Sequence, residues 1–469
     1  MLRLGKLNCL LLKFKYTISG KEMENTVTKF ANFIGKSKDI SVSNATFHSA
    51  KLIVTDCLGA IIGGMAEPEV RKLAESEGAN NKNLFKILDD TKNAADETIS
   101  FLFGTAGTVL EMDEGHQFAK GHPGMHVFPA LLAAARNKEF LGEEFLKAFI
   151  IGYDVGARIG LASNLNPNMH PHGTWGGLGA AAGLAVLNKM DTQQAGEYLN
   201  IVSSLTLATS RKTMLEGATV RNSYTGMSNK MAHIGLSLLK AGFTGESDGI
   251  KSIFDGVVSS RFDTKSAFDL IGRRFEVNRN YFKLHACCRY NHAALDALWK
   301  LIENHRELKS FDLIKEIKIK SYNLAAELKD QNPRNVLACK FSVPFAISTT
   351  LVNLDSGVMS FTEAMRTNKT IQKLCQKVVI EEDPLMTEKT PDLRPAHVKI
   401  FMEDGTTFEA SVTTNRGDWQ DPYSEKDLQQ KFLSLSTRLW NREKALNVYS
   451  QSMQLEQMPF NTFIKSIIN

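Results

Sequence analysis

The stretch G-G-L-G-A-A-A-G-L-A-V-L, residues 176–187, contains only small and aliphatic residues and has no polar face. A helix of this composition must be covered on all sides, and its glycines and alanines let neighbouring helices approach closely. From about Glu24 to Thr264 the sequence repeats apolar residues at three- and four-residue spacing, with glycine-containing breaks. The sequence therefore predicts a central bundle of helices.

The pattern changes after about Asn280. Residues 314–322 and 377–380 alternate like strands, and residues 396–414 predict a hairpin with a two-residue turn at Asp404-Gly405. Residues 291–304 read as a helix, and Ser424 with an acid three residues later predicts the start of another. We expect a mainly α fold: a large all-helical bundle domain at 23–280, a smaller α+β domain at 281–418, and C-terminal helices at 419–469 that return to the bundle.

Composition indicates a globular protein, with 43% hydrophobic and 23% charged residues among 469. The net charge of +5 is small, and no basic block exceeds Arg273-Arg274, so we expect no nucleic-acid partner. No uninterrupted apolar run reaches the length of a membrane span, so we expect no membrane partner. The six cysteines fit neither a zinc ribbon nor an iron–sulfur cluster, which favours reduced thiols.

Residues 1–22 form a basic N-terminal extension, with five basic residues and no acid before Glu22. Three interpretations stay open: an organellar presequence, a signal peptide that lacks a convincing cleavage site, and an untargeted extension with Met23 as the true start. We expect a cytoplasmic protein, or a mitochondrial one if this extension is a presequence.

Four polar islands interrupt the apolar sequence and contain seven of the eleven histidines. A single histidine is most often structural, but polar groups that converge inside a bundle are costly unless they are paired or functional. The islands contribute, in chain order, Asp113, His116, His122 and His126; His170 and His172; Arg221, Asn222 and Tyr224; and Lys283, His285, Arg289 and His292.

Three other kinds of site are weighed against acid–base chemistry. His170 and His172, with His116 and His122, could bind a metal, but their spacing matches no metal motif. The sequence G-T-W-G-G-L-G at 173–179 could bind phosphate, yet it follows no predicted strand, and close helix packing explains it better. Cys287 or Cys288 could act as a nucleophile next to basic residues.

General acid–base catalysis on an anionic substrate explains most of these residues together. Arg221, Lys283 and Arg289 supply positive charge for carboxylates, while Asp113 and the histidines can exchange protons near neutral pH. Removing a proton from a carbon next to a carboxylate needs both kinds of group, since the developing negative charge must be stabilised as it forms.

Five motifs occur in chain order: D-E-G-H-x-x-A-x-G-H-P-G-x-x-V-x-P-A-L-L-A, H-P-H-G-T-W-G-x-x-G-A-A-A, G-A-T-V-R-N-x-Y-x-G, L-L-K-A-G-F-T-G and K-x-H-x-C-x-R-x-x-H. Together they resemble the MmgE/PrpD family, which includes 2-methylcitrate dehydratase, cis-aconitate decarboxylase and an iminodisuccinate epimerase. The resemblance covers about residues 24–445.

The resemblance implies a helical domain closed by the C-terminal helices, an α+β lid, a homodimer, and a cleft that binds a polycarboxylate without metal or organic cofactor. By motif, it implies catalytic roles for Asp113, His122, His170 and Lys283. Six other island residues are expected to bind substrate: His116, His172, Arg221, Asn222, Tyr224 and Arg289.

Two differences leave the substrate open. Arg221 stands where the decarboxylase motif has a lysine, and M-D-E-G-H-Q-F is one residue shorter than the D-F-D-D-T-x-x-H-P of dehydratases and decarboxylases. We expect a lyase, foremost a hydro-lyase, acting on a di- or tricarboxylate. A decarboxylase, an epimerase or an inactive dimeric binding protein are the alternatives.

Overall fold

The computed structural model describes residues 25–78, 84–89, 94–136 and 138–469. The predicted N-terminal extension, residues 1–22, lies outside these ranges. The α-helices, numbered α1 to α22 in chain order, are Thr26–Gly35, Asn44–Gly64, Pro68–Ser76, Asp96–Val109, Pro123–Ala135, Gly142–Ala162, Gly176–Leu187, Thr192–Ser203, Lys212–Leu215, Tyr224–Lys240, Gly249–Ser252, Thr264–Phe268, His292–Asn304, Asn323–Ala326, Val336–Lys340, Val343–Asn353, Glu363–Arg366, Lys369–Cys375, Pro384–Thr387, Glu425–Ser436, Arg442–Met453 and Phe460–Ile468.

The strands are short and fall into three sheets. Strands β1 to β8 are Gly115–His116, Ser163–Leu165, Ser259–Phe262, Asn280–Tyr281, Ile314–Ser321, Val378–Glu382, Ala396–Met402 and Thr407–Val412. β1 pairs with β4, β2 pairs with β3, and the remaining four form a sheet in the order β6-β5-β7-β8. The mainly α fold class predicted from the sequence is confirmed.

Helix α7 lies in the middle of the bundle, where it contacts α5, α6, α8 and α10. Eleven of its twelve residues are buried. Gly152 of α6 faces Gly179 and Gly183 of α7 so closely that a Cβ on Gly152 would lie 2.8 Å from the Gly179 carbonyl oxygen. The glycine-rich stretch therefore serves helix packing, the role that its composition favours.

Helix α2, Asn44–Gly64, is long and apolar enough to cross a membrane by length and composition, but 72% of its most apolar window is buried inside the protein. It contacts α4, α5 and α6 on one side and the C-terminal helices α20 and α21 on the other. These contacts explain its composition, since a helix buried on several sides needs no polar face.

The C-terminal helices pack against the bundle. Lys431 of α20 donates to Asp56 Oδ1 at 2.5 Å and to the carbonyl oxygen of Met112 at 2.6 Å. The ring of Phe460 stacks on Phe145 of α6 with centroids 3.9 Å apart. The last part of the chain is thus bound to both the core and the first polar island.

The four-stranded sheet forms most of the smaller part of the molecule. β5 runs parallel to β6 and antiparallel to β7, and β7 runs antiparallel to β8. Buried residues alternate along β5 and β7, as expected of a sheet with one face packed, and helix α13 contacts β7 and β8. The predicted hairpin is present, but Met402 and Thr406 pair at its end, so the turn is longer than two residues, with Gly405 at φ 90°.

Substitution of Gly152 by alanine tests whether the close contact between α6 and α7 holds the bundle. We expect a loss of about 1–3 kcal/mol in the free energy of unfolding, because backbone must move to admit the methyl group. The matched control is Gly196→Ala in α8, where the added Cβ meets its nearest atom at an ordinary 3.4 Å. Thermal and urea unfolding of both variants provide the measurement. Equal stability of the two would show that the bundle does not depend on this contact.

Candidate active site

The first polar island lies between α4 and α5 and is fixed by the pairing of β1 with β4. Gly115 stands opposite Tyr281, and a side chain at Gly115 would collide with the Tyr281 ring at 2.3 Å. This pairing brings the island next to Lys283, which follows β4 directly. Glu111 adopts a left-handed φ of 56°, which is uncommon for a residue other than glycine and turns the chain sharply after α4.

A buried network of charges joins the first, third and fourth islands. Glu111 Oε1 accepts a hydrogen bond from Arg221 Nη1, and Glu111 Oε2 lies 3.5 Å from Lys283 Nζ. Lys283 Nζ also donates to Asp113 Oδ1 at 3.3 Å and to the carbonyl oxygen of Glu111 at 3.1 Å. All four side chains are nearly inaccessible to water. Two carboxylates and two cationic side chains thus neutralise one another in the protein interior.

Electrostatics keep both acids ionised. Burial alone would raise the pKa of Glu111, but Arg221 and Lys283 outweigh it and lower the value. Burial opposes ionisation of Asp113 as well, yet His122 and Lys283 hold the pKa of Asp113 far below its usual range. The same two carboxylates raise the pKa of Lys283 despite its burial. Asp113 therefore carries no proton that it could donate near neutral pH.

His122 immediately precedes helix α5 and is oriented by acceptors on one side of its ring. Its Nδ1 lies 3.0 Å from Asp113 Oδ2 and is hydrogen-bonded to the carbonyl oxygen of Glu114. Because both neighbours of Nδ1 are acceptors, Nδ1 carries the proton of the neutral ring, and the Nε2 lone pair is available to accept another. The arrangement of a carboxylate behind a histidine is that of a general base with its orienting group.

The second island places two more histidines beside His122. Ring centroids of His122 and His172 are 4.7 Å apart, as are those of His170 and His172. His170 Nδ1 accepts the backbone N–H of His172 at 3.0 Å, and Arg221 Nε–H points at His170 Nε2 at 3.4 Å, so both ring nitrogens face hydrogen-bond donors. Burial, followed by the charge of Arg221, lowers the pKa of both His170 and His172 well below the usual value. Both rings are therefore neutral near pH 7.

His122, His170 and His172 line a narrow cleft of about 50 Å³ between the bundle and the smaller part of the molecule. The cleft, as the term is used below, is the space lined by Glu111, Lys120, His122, His170, Pro171, His172, Arg211, Met214, Arg221, Tyr281, Cys288, Arg289, Tyr290, Phe341 and Arg394.

Several predicted site residues do not line the cleft. His116 is fully buried and its Nε2 lies 3.0 Å from Glu276 Oε2, in a separate network. Asn222 is buried outside the lining, and Tyr224 lies behind His170 with ring centroids 5.7 Å apart. Lys283 stands behind the wall, where it holds Glu111 and Asp113. We therefore do not place His116, Asn222 or Tyr224 among the proposed substrate ligands.

Some residues of the fourth island lie at the cleft, and others lie inside the smaller part of the molecule. Arg289 lines the cleft, but its Nη2 donates to Asp418 Oδ1 at 2.6 Å, so its charge is already paired. His285 faces away, bonded to Ser356 Oγ at 2.6 Å and Asp296 Oδ1 at 3.2 Å. Burial raises the pKa of the Cys288 thiol to about 11, which argues against the nucleophilic cysteine considered above.

The lining residues that were not predicted include Glu111, Tyr281 and Arg394. Glu111 belongs to the first island, where it could have been noticed as an acid two residues before Asp113. Tyr281 comes directly before the fourth island, and only its pairing with Gly115 shows that it faces the cleft. Arg394 lies in the sequence L-R-P, far from any island, and no local pattern marks it.

Comparison with known proteins settles the family. The model of the MmgE/PrpD N-terminal domain matches residues 28–265, and that of the MmgE/PrpD C-terminal domain matches residues 285–455. The chain belongs to the MmgE/PrpD family. The two matches divide this MmgE/PrpD protein near β4, where the first island meets the fourth.

Curated relatives of this MmgE/PrpD protein are similar over most of their length. A cis-aconitate decarboxylase-like protein of Aspergillus oryzae is 20% identical over 94% of this chain and 96% of its own. Cis-aconitate decarboxylases of Homo sapiens and Mus musculus are 24% and 22% identical, over 74% and 93% of this chain and 74% and 92% of their own. The human and mouse relatives are thus lyases by name.

The histidines of the site predict how stability changes with pH. Burial lowers the pKa of His126 from 6.5 to about 4, and its Nδ1 donates to the His122 carbonyl oxygen at 2.8 Å. Between pH 4 and pH 6.5 the unfolded chain binds a proton at this histidine that the folded protein excludes. The contribution of His126 to the free energy of unfolding is therefore fully present above pH 6.5 and is lost as the pH drops towards 4. The contribution of His126 is about 3 kcal/mol at most.

His126→Gln should therefore reduce the difference between the free energies of unfolding at pH 7 and pH 5. The matched control is His397→Gln on the sheet of the smaller part of the molecule. It shows whether a changed pH dependence is specific to His126 or follows the loss of any histidine. Urea titrations at the two pH values provide the measurement. An unchanged pH dependence in His126→Gln would show that His126 does not resist protonation in the folded state.

Proposed function

We propose that the protein is a cofactor-independent lyase that acts on a small di- or tricarboxylate and removes a proton from a carbon next to a carboxylate. The observation that carries this proposal is His122 at the cleft wall, held by ionised Asp113 with its Nε2 lone pair available. A neutral histidine backed by a carboxylate is well suited to remove a proton near neutral pH, because the carboxylate stabilises the imidazolium that forms.

The cleft also favours an anionic substrate. Its described lining contains one acid, Glu111, against five cationic side chains. These are Lys120, Arg211, Arg221, Arg289 and Arg394. An excess of positive charge in a partly enclosed site attracts carboxylates and stabilises negative charge that develops on the substrate during proton removal.

Elimination of water can be completed by His122 alone. His122 Nε2 accepts the proton from carbon, the carbon–oxygen bond breaks as a double bond forms, and the His122 imidazolium gives that proton to the departing hydroxyl, which leaves as water. Asp113 orients His122 and cannot protonate the hydroxyl itself, since its pKa is far below neutrality. A hydro-lyase is therefore the activity that we propose first.

Decarboxylation is the second candidate, because the compared relatives are named as cis-aconitate decarboxylases. In that reaction a protonated His122 would supply the proton to the carbon that loses carbon dioxide. Epimerisation would need proton removal and return at one carbon.

We further propose, from the family resemblance, that the protein is a cytoplasmic homodimer, which light scattering and cell fractionation can test.

The substrate class is tested by incubating the protein in D₂O with citrate, 2-methylcitrate, cis-aconitate, malate and aspartate, followed by NMR. A hydro-lyase should interconvert a hydroxy acid and its unsaturated product, with deuterium at the carbon that exchanges its proton. Release of carbon dioxide would establish the second candidate. Binding without exchange or product would identify an inactive binding protein.

His122→Ala should lower turnover by about a hundredfold or more, the usual span for a general base, and should unfold close to the wild-type temperature. The matched control is His116→Ala, from the same island. That change removes one buried partner of Glu276 and the acceptor of the Ala119 N–H, so it should cost stability, by about 1–3 kcal/mol, and leave turnover per folded molecule near wild type. Initial rates and thermal melting of both variants provide the test. The reverse pattern would make His122 structural and His116 functional.

A further inference from the structure

The five cations of the cleft differ in whether the protein itself already neutralises them. Arg221 is bound to Glu111, Arg289 to Asp418 at 2.6 Å, and Arg211 to Glu327 at 2.5 Å. These three charges are matched before any ligand arrives. Lys120 and Arg394 form no ion pair with a described residue, and Lys120 is solvent-exposed, so water compensates its charge.

Arg394 is the exception, because it is buried and has no acidic partner within the described ranges. Only 4% of the residue is exposed, and its Nη2 donates to the carbonyl oxygen of Gln117 at 3.1 Å. Its guanidinium carbon lies 5.9 Å from the ring centroid of Tyr281 and 5.7 Å from that of Tyr290. Aromatic faces and one carbonyl compensate a buried charge only in part, so the site favours an added anion.

The position of Arg394 is fixed from both sides of the cleft. Its segment precedes β7 in the smaller part of the molecule, whereas Gln117 belongs to the first island of the bundle. Gln117 Nε2 donates to the carbonyl oxygens of Pro391 at 2.8 Å and Asp392 at 3.1 Å, while Arg394 donates back to the Gln117 carbonyl oxygen. Two of these hydrogen bonds hold the segment before Arg394 against the island that carries His122, and the third anchors the guanidinium itself.

We propose that Arg394 binds a second carboxylate of the substrate, remote from the carbon that His122 deprotonates. This inference rests on the proposed function and defines its substrate class further. The guanidinium keeps several N–H donors free in a planar fork that matches a carboxylate. An acid with one carboxylate would leave Arg394 unpaired, so the site selects acids with two or more.

Binding of unreactive acids tests Arg394 without requiring turnover. Isothermal titration with tricarballylate, glutarate and butyrate would measure affinity for three, two and one carboxylates. The wild type should prefer tricarballylate, and Arg394→Gln should weaken that binding by about tenfold or more and remove the preference. Arg394→Lys should recover part of the affinity, since it restores charge without the fork. The matched control, Arg366→Gln, removes an arginine paired with Glu363 on the surface and should bind as wild type.

Thermal melting separates ligand binding from a structural role. Without ligand, Arg394→Gln should be at least as stable as wild type, because an unmatched buried charge has been removed. Tricarballylate should raise the melting temperature of wild type but not of Arg394→Gln. A variant that melts lower without ligand and still binds tricarballylate normally would make Arg394 structural and overturn the inference.

The remaining outcomes distinguish this inference from the lyase proposal. Exchange or product formation by wild type, with unchanged KM for polycarboxylates in Arg394→Gln, would overturn the role of Arg394 alone. Tight binding of tricarballylate that depends on Arg394, without turnover of any acid, would support the binding site and overturn the lyase. Wild-type protein that binds none of the three acids would overturn the inference.

Discussion

The carboxylate of Glu111 lies between Arg221 and Lys283, and the orientation of His122 depends on this buried contact. The three residues come from the end of α4, the segment before α10 and the segment after β4. A single charge left alone at this depth would be strongly destabilising, whereas the paired charges compensate one another. Asp113 extends the network from Lys283 to His122. His122, the proposed base, is thus oriented by contacts that exist only when distant parts of the chain have folded together.

The same contact gives Arg221 a role that a lysine could not fill in the same way. Its guanidinium is held by Glu111 on one side and lies against His170 on the other, with Nε 3.4 Å from His170 Nε2. Arginine does not release its proton near neutral pH, so in the proposed reaction proton transfer is left to His122. Burial, together with the positive charge of Arg221, lowers the pKa of His170 and keeps its ring neutral. The difference from the decarboxylase motif therefore changes which side chains can move protons.

Most helices could be predicted because their signal is local: spacing of apolar residues, small residues on every face, and caps such as Ser424. The site was less accessible to sequence reasoning. His116 and His122 lie six residues apart in one island, yet β1 turns His116 towards Glu276 while His122 reaches the cleft. That separation depends on pairing with β4, far along the chain. Arg394 has no local signature in the sequence. It differs from the other cations by being buried without an acidic partner among the described residues, and only the three-dimensional structure reveals this.

The return of the C-terminal helices has a consequence for the order of events during synthesis. Lys431 binds both Asp56 and the carbonyl oxygen of Met112, the residue before Asp113. Until α20 has left the ribosome, Asp56 has no counter-charge and the backbone beside Asp113 lacks one of its anchors. The segment that carries Asp113 therefore gains its last anchor only when translation is nearly finished.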